Sequence, residues 1–124
     1  MATGLENLWI YKLAEDLEIE VHEITKKFPK DEIYRSVDQL RRSSASASNN
    51  IAESYYKNSI KEKARFLNIA QGEAEETKRN IFRSSRKGFI SKEKSDNIID
   101  HYTILLKGIH AYIKFLMLNE VKKK

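Results

Sequence analysis

The 124-residue sequence predicts an all-α fold, an antiparallel up-down-up-down four-helix bundle, and three observations carry that prediction. Apolar residues recur at spacings of three and four along almost the whole chain, the period of a helix turning about 100° per residue. One proline and four glycines leave few places where a helix would have to break. A third of the residues are charged, which suits long helices with a solvated face. The length fits one core and one domain, 1–124.

The first helix is expected over about 5–28. Leu5, Ile10, Leu13, Leu17, Val21, Ile24 and Phe28 share one side of it, and Pro29 stops it by lacking an N–H. The second, over about 30–57, crosses the stretch QLRRSSASASNNIAESYYKNS at 39–59, which has the composition of a linker. Ile33, Val37, Leu40, Ser44, Ala47, Ile51 and Tyr55 nevertheless keep the three-four alternation straight through it, and a tether has no reason to hold a helical phase. Serine hydroxyls compete for backbone groups, so this helix depends on its neighbours for stability. Ser44 and Ala47 are small enough to let one of them come close.

The third helix is expected over about 60–87. It opens on Ser59-Ile60-Lys61-Glu62, the capping-box pattern, and ends before Gly88, which suits a left-handed cap. Ile60, Ala64, Leu67, Ala70, Ala74 and Ile81 are its inward positions. The fourth helix, over about 92–120, starts after Ser91 as N-cap and has the core stripe Ile99, Tyr102, Leu106, Ile109, Ile113 and Leu116. Short connections then make neighbouring helices antiparallel.

The fourth helix carries a second apolar stripe. Ile104, Gly108, Ala111, Phe115 and Leu118 fall on another side, with Lys107, His110 and Lys114 between the two stripes. A helix that is apolar on two faces has two packing partners, and the bundle supplies one. Ile69, Gly72 and Phe82 of the third helix also lie off its core stripe. These eight residues predict a homo-oligomer interface.

Catalytic chemistry finds little footing. With no cysteine there is no disulfide, thiolate nucleophile or thiolate metal site. The residues three before His22, His101 and His110 are Ile19, Ile98 and Lys107, so the Glu-x-x-His pairs of di-iron bundles are missing. There is no phosphate loop and no Gly-x-Ser-x-Gly elbow. Asp96 and Asp100, one turn apart, read as a solvated face rather than a weak site for a hard cation, and Glu53 reads as a buried acid or as the partner of Lys57 or of a basic residue on a neighbouring helix. The expectation is no enzyme, no metal and no cofactor. With no apolar run of about 20 residues and no signal pattern over residues 1–5, the protein is expected to be cytoplasmic and to have no membrane partner.

Charge is uneven. Residues 1–60 hold eight Lys and Arg against ten Asp and Glu, while residues 61–124 hold fifteen against eight. Lys78, Arg79, Arg83, Arg86, Lys87, Lys92 and Lys94 cluster with Glu93 alone opposing them, and Arg79, Arg83 and Arg86 form a row facing away from Ala70, Ala74 and Ile81. Such a row is suited to RNA or DNA phosphates, because guanidinium offers a planar donor fork and neutralised phosphates release counterions. Lys122, Lys123 and Lys124 add to the charge. The first helix is acidic outside, through Glu15, Asp16, Glu18, Glu20 and Glu23, which leaves a protein-interaction scaffold as the alternative.

Phe28-Pro29, Glu32-Ile33-Tyr34, Gln39-Leu40-Arg41-Arg42-Ser43, Asn50-Ile51-Ala52-Glu53 and Phe66-Leu67-Asn68-Ile69-Ala70-Gln71-Gly72, in that order, give the chain a family resemblance. It resembles the small four-helix-bundle proteins encoded by intervening sequences in bacterial large-subunit rRNA genes. That family looks related to the accessory variability determinant of diversity-generating retroelements, a basic pentamer. The resemblance implies a ring-like homopentamer that contacts RNA or DNA and docks a reverse transcriptase. Ser54 departs from the glycine common after Asn-Ile-Ala-Glu, which bears on the end of the second helix.

Overall fold

The computed structural model describes residues 4–123, with side chains to residue 120. A 3-10 turn at Leu5–Asn7 leads into α1 (Trp9–Thr25), followed by α2 (Asp38–Tyr55), α3 (Ile60–Arg86) and α4 (Lys92–Lys123). No strand occurs among the described residues. The antiparallel course is fixed by cross-helix pairs. Arg41 reaches Thr25 while Ser48 reaches Glu18, and Ser43 meets Thr77 while Lys63 reaches the carbonyls of Ser54 and Tyr55. On the next seam Ile99 lies beside Arg79, and Lys107 and His110 lie beside Gly72.

α1 ends before Phe28. The Thr25 hydroxyl turns back onto the carbonyls of Val21 and His22, at 2.9 Å each, and accepts from Arg41 Nε at 2.9 Å. That arginine ties the end of α1 to α2 and also reaches the His22 carbonyl at 3.4 Å, one of the carbonyls that a helix terminus leaves free.

The single helix expected over 30–57 is instead three segments. A 3-10 turn at Lys30–Glu32 and a π turn at Ile33–Val37 precede α2. The π turn adds a residue to the helical count, which turns everything before it off the stripe of Val37 and Leu40. Ile33 is therefore 49% exposed rather than in the core as its spacing predicts, whereas Glu32 is buried and accepts from the Ser36 hydroxyl at 2.6 Å.

The serine-rich stretch is helical, and its hydroxyls are the reason it can be buried. Ser43, Ser44, Ser48 and Ser54 are all interior, with hydroxyls that meet Thr77 Oγ1 at 2.6 Å, Arg41 O at 3.3 Å, Glu18 Oε1 at 2.5 Å and Ile51 O at 2.6 Å. Each buried polar group left unpaired would cost about 1–3 kcal/mol, so this pairing decides whether α2 folds.

At the start of α3, Ser59 Oγ accepts from Glu62 N at 3.1 Å, while the Glu62 carboxylate turns to Arg65 Nε at 2.9 Å and leaves the reciprocal half of the capping box unmade. Gly88 has φ +84°, and Phe89 N donates to Ser84 O at 2.9 Å, a Schellman ending that needs glycine. Phe89 then packs on Phe28 with ring centroids 5.4 Å apart and closes that end of the bundle. Ser91 caps α4 by accepting from Lys94 N at 3.2 Å.

The buried stripe of α4 is Ile98, Tyr102, Leu105, Ile109 and Leu116. Ile99, Leu106 and Ile113 are half-buried flanks packed against it, so the predicted stripe is rotated by roughly 40°. Each bundle helix has two neighbours, and the buried arc is centred between them. The sequence reading centred it on the flank toward α3.

Candidate nucleic-acid interface

The outer face of α3 near its C-terminus carries Arg79, Arg83 and Arg86, all exposed, opposite the buried Ala70, Ala74 and Ile81. Arg83 donates to Asn80 Oδ1 on the same helix, while Arg79 and Arg86 have no partner among the described residues. The other four cations of the predicted set go different ways. Lys78 is half-buried on the seam with α4. Lys87 lies close enough to Glu32 to help hold its carboxyl below the usual range, behind the larger effect of the Ser36 hydrogen bond. Lys92 Nζ pairs with Asp96 Oδ2 at 2.7 Å, which raises its pKa and occupies its charge. Lys94 sits around the bundle end, in a depression shared with Lys27 and Phe89. Arg79, Arg83 and Arg86 thus share one exposed face of α3, while the other four cations have other surroundings.

Lys78, Arg79 and Arg83 rim a groove of about 380 Å³ between α3 and α4, whose other lining residues are Glu75, Phe82 and Ile99. Phe82 is 53% exposed. Its spacing groups it with the oligomer interface; the structure sets it inside the cationic groove. The spacing contained the signal, since Phe82 follows Lys78 by four and Arg79 by three, which places all three on one helical flank.

The predicted interface residues divide in the same way. Ile104, Ala111, Phe115 and Leu118 are exposed along α4 at alternating spacings compatible with a heptad seam. Phe115 is stacked on Tyr112 at 6.3 Å. Gly108 is a correction. It is buried within the chain, and a Cβ placed there would lie 2.3 Å from Trp9 Cη2 and 2.9 Å from Ile10 Cγ2, so its small size serves the packing of α1 on α4 rather than a second copy. Trp9, 53% exposed, joins the apolar stripe through that contact, and the sequence reading missed it. Gly72 is exposed beside Leu106, Lys107 and His110, and Ile69 is 40% exposed on a different flank of α3.

Among the described residues no group of three or more His, Asp or Glu side chains could hold a metal ion, and no helix is long and apolar enough to cross a membrane. Asp96 is occupied by Lys92, and His101 Nδ1 lies 2.8 Å from Asn97 O. Glu53 is exposed, so it is not a buried acid, and Lys57 lies over the Phe66 ring at 5.0 Å. Lys122, Lys123 and Lys124 lie outside the described side chains.

The chain is similar to a crystal structure of a protein of unknown function from the S23 ribosomal protein family of Bacteroides thetaiotaomicron. The TM-score is 0.76 at 22% identity, over 85% of this chain and 98% of that one. At that identity the likeness speaks for the fold. No functionally curated protein is significantly similar. The family model described as 23S rRNA-intervening sequence protein matches residues 6–111, which span α1 to α3, the first part of α4 and the arginine cluster. This chain is a member of the 23S rRNA-intervening sequence protein family.

Proposed function

We propose that the protein is a non-enzymatic, oligomeric nucleic-acid-binding accessory protein that contacts RNA or DNA phosphates through the cations of α3. The observation that carries the reading is the exposure of Arg79, Arg83 and Arg86 on one face, two of them with no partner among the described residues. A free guanidinium costs little to bring to a phosphate, because no internal ion pair has to be broken first. Assembly through the apolar stripe of α4, as the ring-like pentamer that the family resemblance implies, repeats the cluster and raises its avidity without new contacts. By the same resemblance, a reverse transcriptase is a further partner of that assembly.

The test is binding of a mixed RNA pool and of duplex DNA across a salt series, with wild type and with Arg79→Ala, Arg83→Ala and Arg86→Ala combined. Three phosphate contacts contribute a log–log salt slope of about −2 to −3 per chain. The triple variant is expected to lose that part of the slope and most of the affinity while its helical circular dichroism stays unchanged. Equal binding by the triple variant refutes the assignment. Salt-independent behaviour with no shift by any nucleic acid favours an interaction scaffold that uses the acidic outside of α1.

A further inference from the structure

The phosphate reading leaves Phe82 unexplained. Four of the five phenylalanines are engaged inside the chain. Phe28 and Phe89 pack on each other, Phe115 stacks on Tyr112, and Phe66 is covered by Arg65 at 4.4 Å and Lys57 at 5.0 Å. Phe82 has no ring or cation partner among the described residues and is half-exposed in a groove whose apolar wall continues onto Ile99.

The charges around that ring are placed for an anion with a flat apolar part. Lys78, Arg79 and Arg83 against Glu75 leave the groove lining with a net charge of +2. A volume of about 380 Å³ falls in the range of roughly 300–1,000 Å³ typical of small-molecule sites, which is more than an isolated phosphate needs. A purely apolar partner would have to strip water from three cations without replacing it, which is costly. A nucleotide meets both demands, with its base on Phe82 and its phosphates on the guanidinia.

We infer that the groove between α3 and α4 binds single-stranded nucleic acid, with one unpaired base stacked on Phe82 beside Ile99 and the flanking phosphates held by Lys78, Arg79 and Arg83. In a duplex both faces of every internal base are already stacked, so the ring has nothing to receive and only the phosphate contacts remain. An unpaired strand uses both. The preference follows from the open ring rather than from hydrogen bonds to base edges, so it is tolerant of sequence. This inference rests on the phosphate-binding proposal, which the test separates from it.

Fluorescence anisotropy with a labelled single-stranded oligonucleotide and with the duplex of the same sequence, on the full chain, tests the inference through Phe82→Leu and Phe82→Trp. Leucine keeps apolar bulk on the groove wall but has no face to stack on. Loss of one base–aromatic stack is expected to weaken single-strand binding about 5- to 150-fold. Duplex affinity, the salt slope and the mass in light scattering should all stay at wild-type values, and Phe82→Trp should retain single-strand affinity. If Phe82→Leu binds the single strand as well as wild type does, the stacking site is overturned while the arginine assignment stands. Equal losses on single strand and duplex, or a changed mass, overturn it too, by making Phe82 a structural or intersubunit contact. A wild-type protein that binds neither nucleic acid removes the phosphate reading, and the inference with it.

Discussion

Gly108→Ala is the substitution whose outcome the packing fixes most sharply, because two opposing effects of known size meet at one atom. On an isolated helix the change stabilises by about 1 kcal/mol, since glycine is the costlier residue in a helix interior. Here the new methyl would lie 2.3 and 2.6 Å from two atoms of the Trp9 ring and 2.9 Å from Ile10 Cγ2. Ile10 is fully buried and cannot retreat, whereas Trp9 is 53% exposed and can swing outward. Swinging it out uncovers the buried half of the ring, roughly 100 Å² of apolar surface, at a cost of about 2.5 kcal/mol. The balance is a destabilisation of about 1.5 kcal/mol. For a chain of 124 residues, that lowers Tm by about 6 °C. Trp9 is the only tryptophan, so its emission should shift to the red in the folded variant, and thermal unfolding followed at the same wavelength gives the Tm. A variant as stable as wild type or more so, with unchanged emission, would refute the close approach of α1 and α4.

Phe115→Glu places a charge on the exposed stripe of α4, where the wild-type ring is 56% exposed and stacked on Tyr112; the variant is expected to be monomeric and helical, and an unchanged mass in light scattering would rule that interface out. Glu32 gives a pH signature. Its carboxyl is depressed below 4.5 chiefly by the Ser36 hydrogen bond, with Lys87 and Arg35 adding to the effect, so its stabilisation is present above about pH 4.5 and is lost as pH falls through the lower folded value. The Tm difference between wild type and Ser36→Ala should therefore be larger at pH 7 than at pH 3, and a gap that holds constant across that range would contradict the assignment.

Periodicity alone carried most of the fold. It placed four helices, kept α2 intact through residues that look like linker, and identified Leu17, Val21, Leu40, Ile51, Leu67 and Ile81 as interior. It failed where the backbone departs from 3.6 residues per turn or where a neighbour decides the outcome. Ile33 fell off the stripe because the π turn shifts phase, and a single-period reading has no way to register one inserted residue. Gly108 has the spacing of an outer-stripe residue, yet the indole of Trp9, ninety-nine residues earlier, claims its surface. The candidate site shows the same division. The exposed arginines follow from counting along one helix, since that face is set by the helix's own core stripe. Phe82 was visible as an off-stripe aromatic, but its meaning depended on α4, whose Ile99 completes the apolar wall beneath the cations. A residue on one helix flank acquires its chemistry from the helix packed beside it, and for that reason the groove between α3 and α4, rather than the arginine count, is the feature on which the proposed preference for unpaired strands turns.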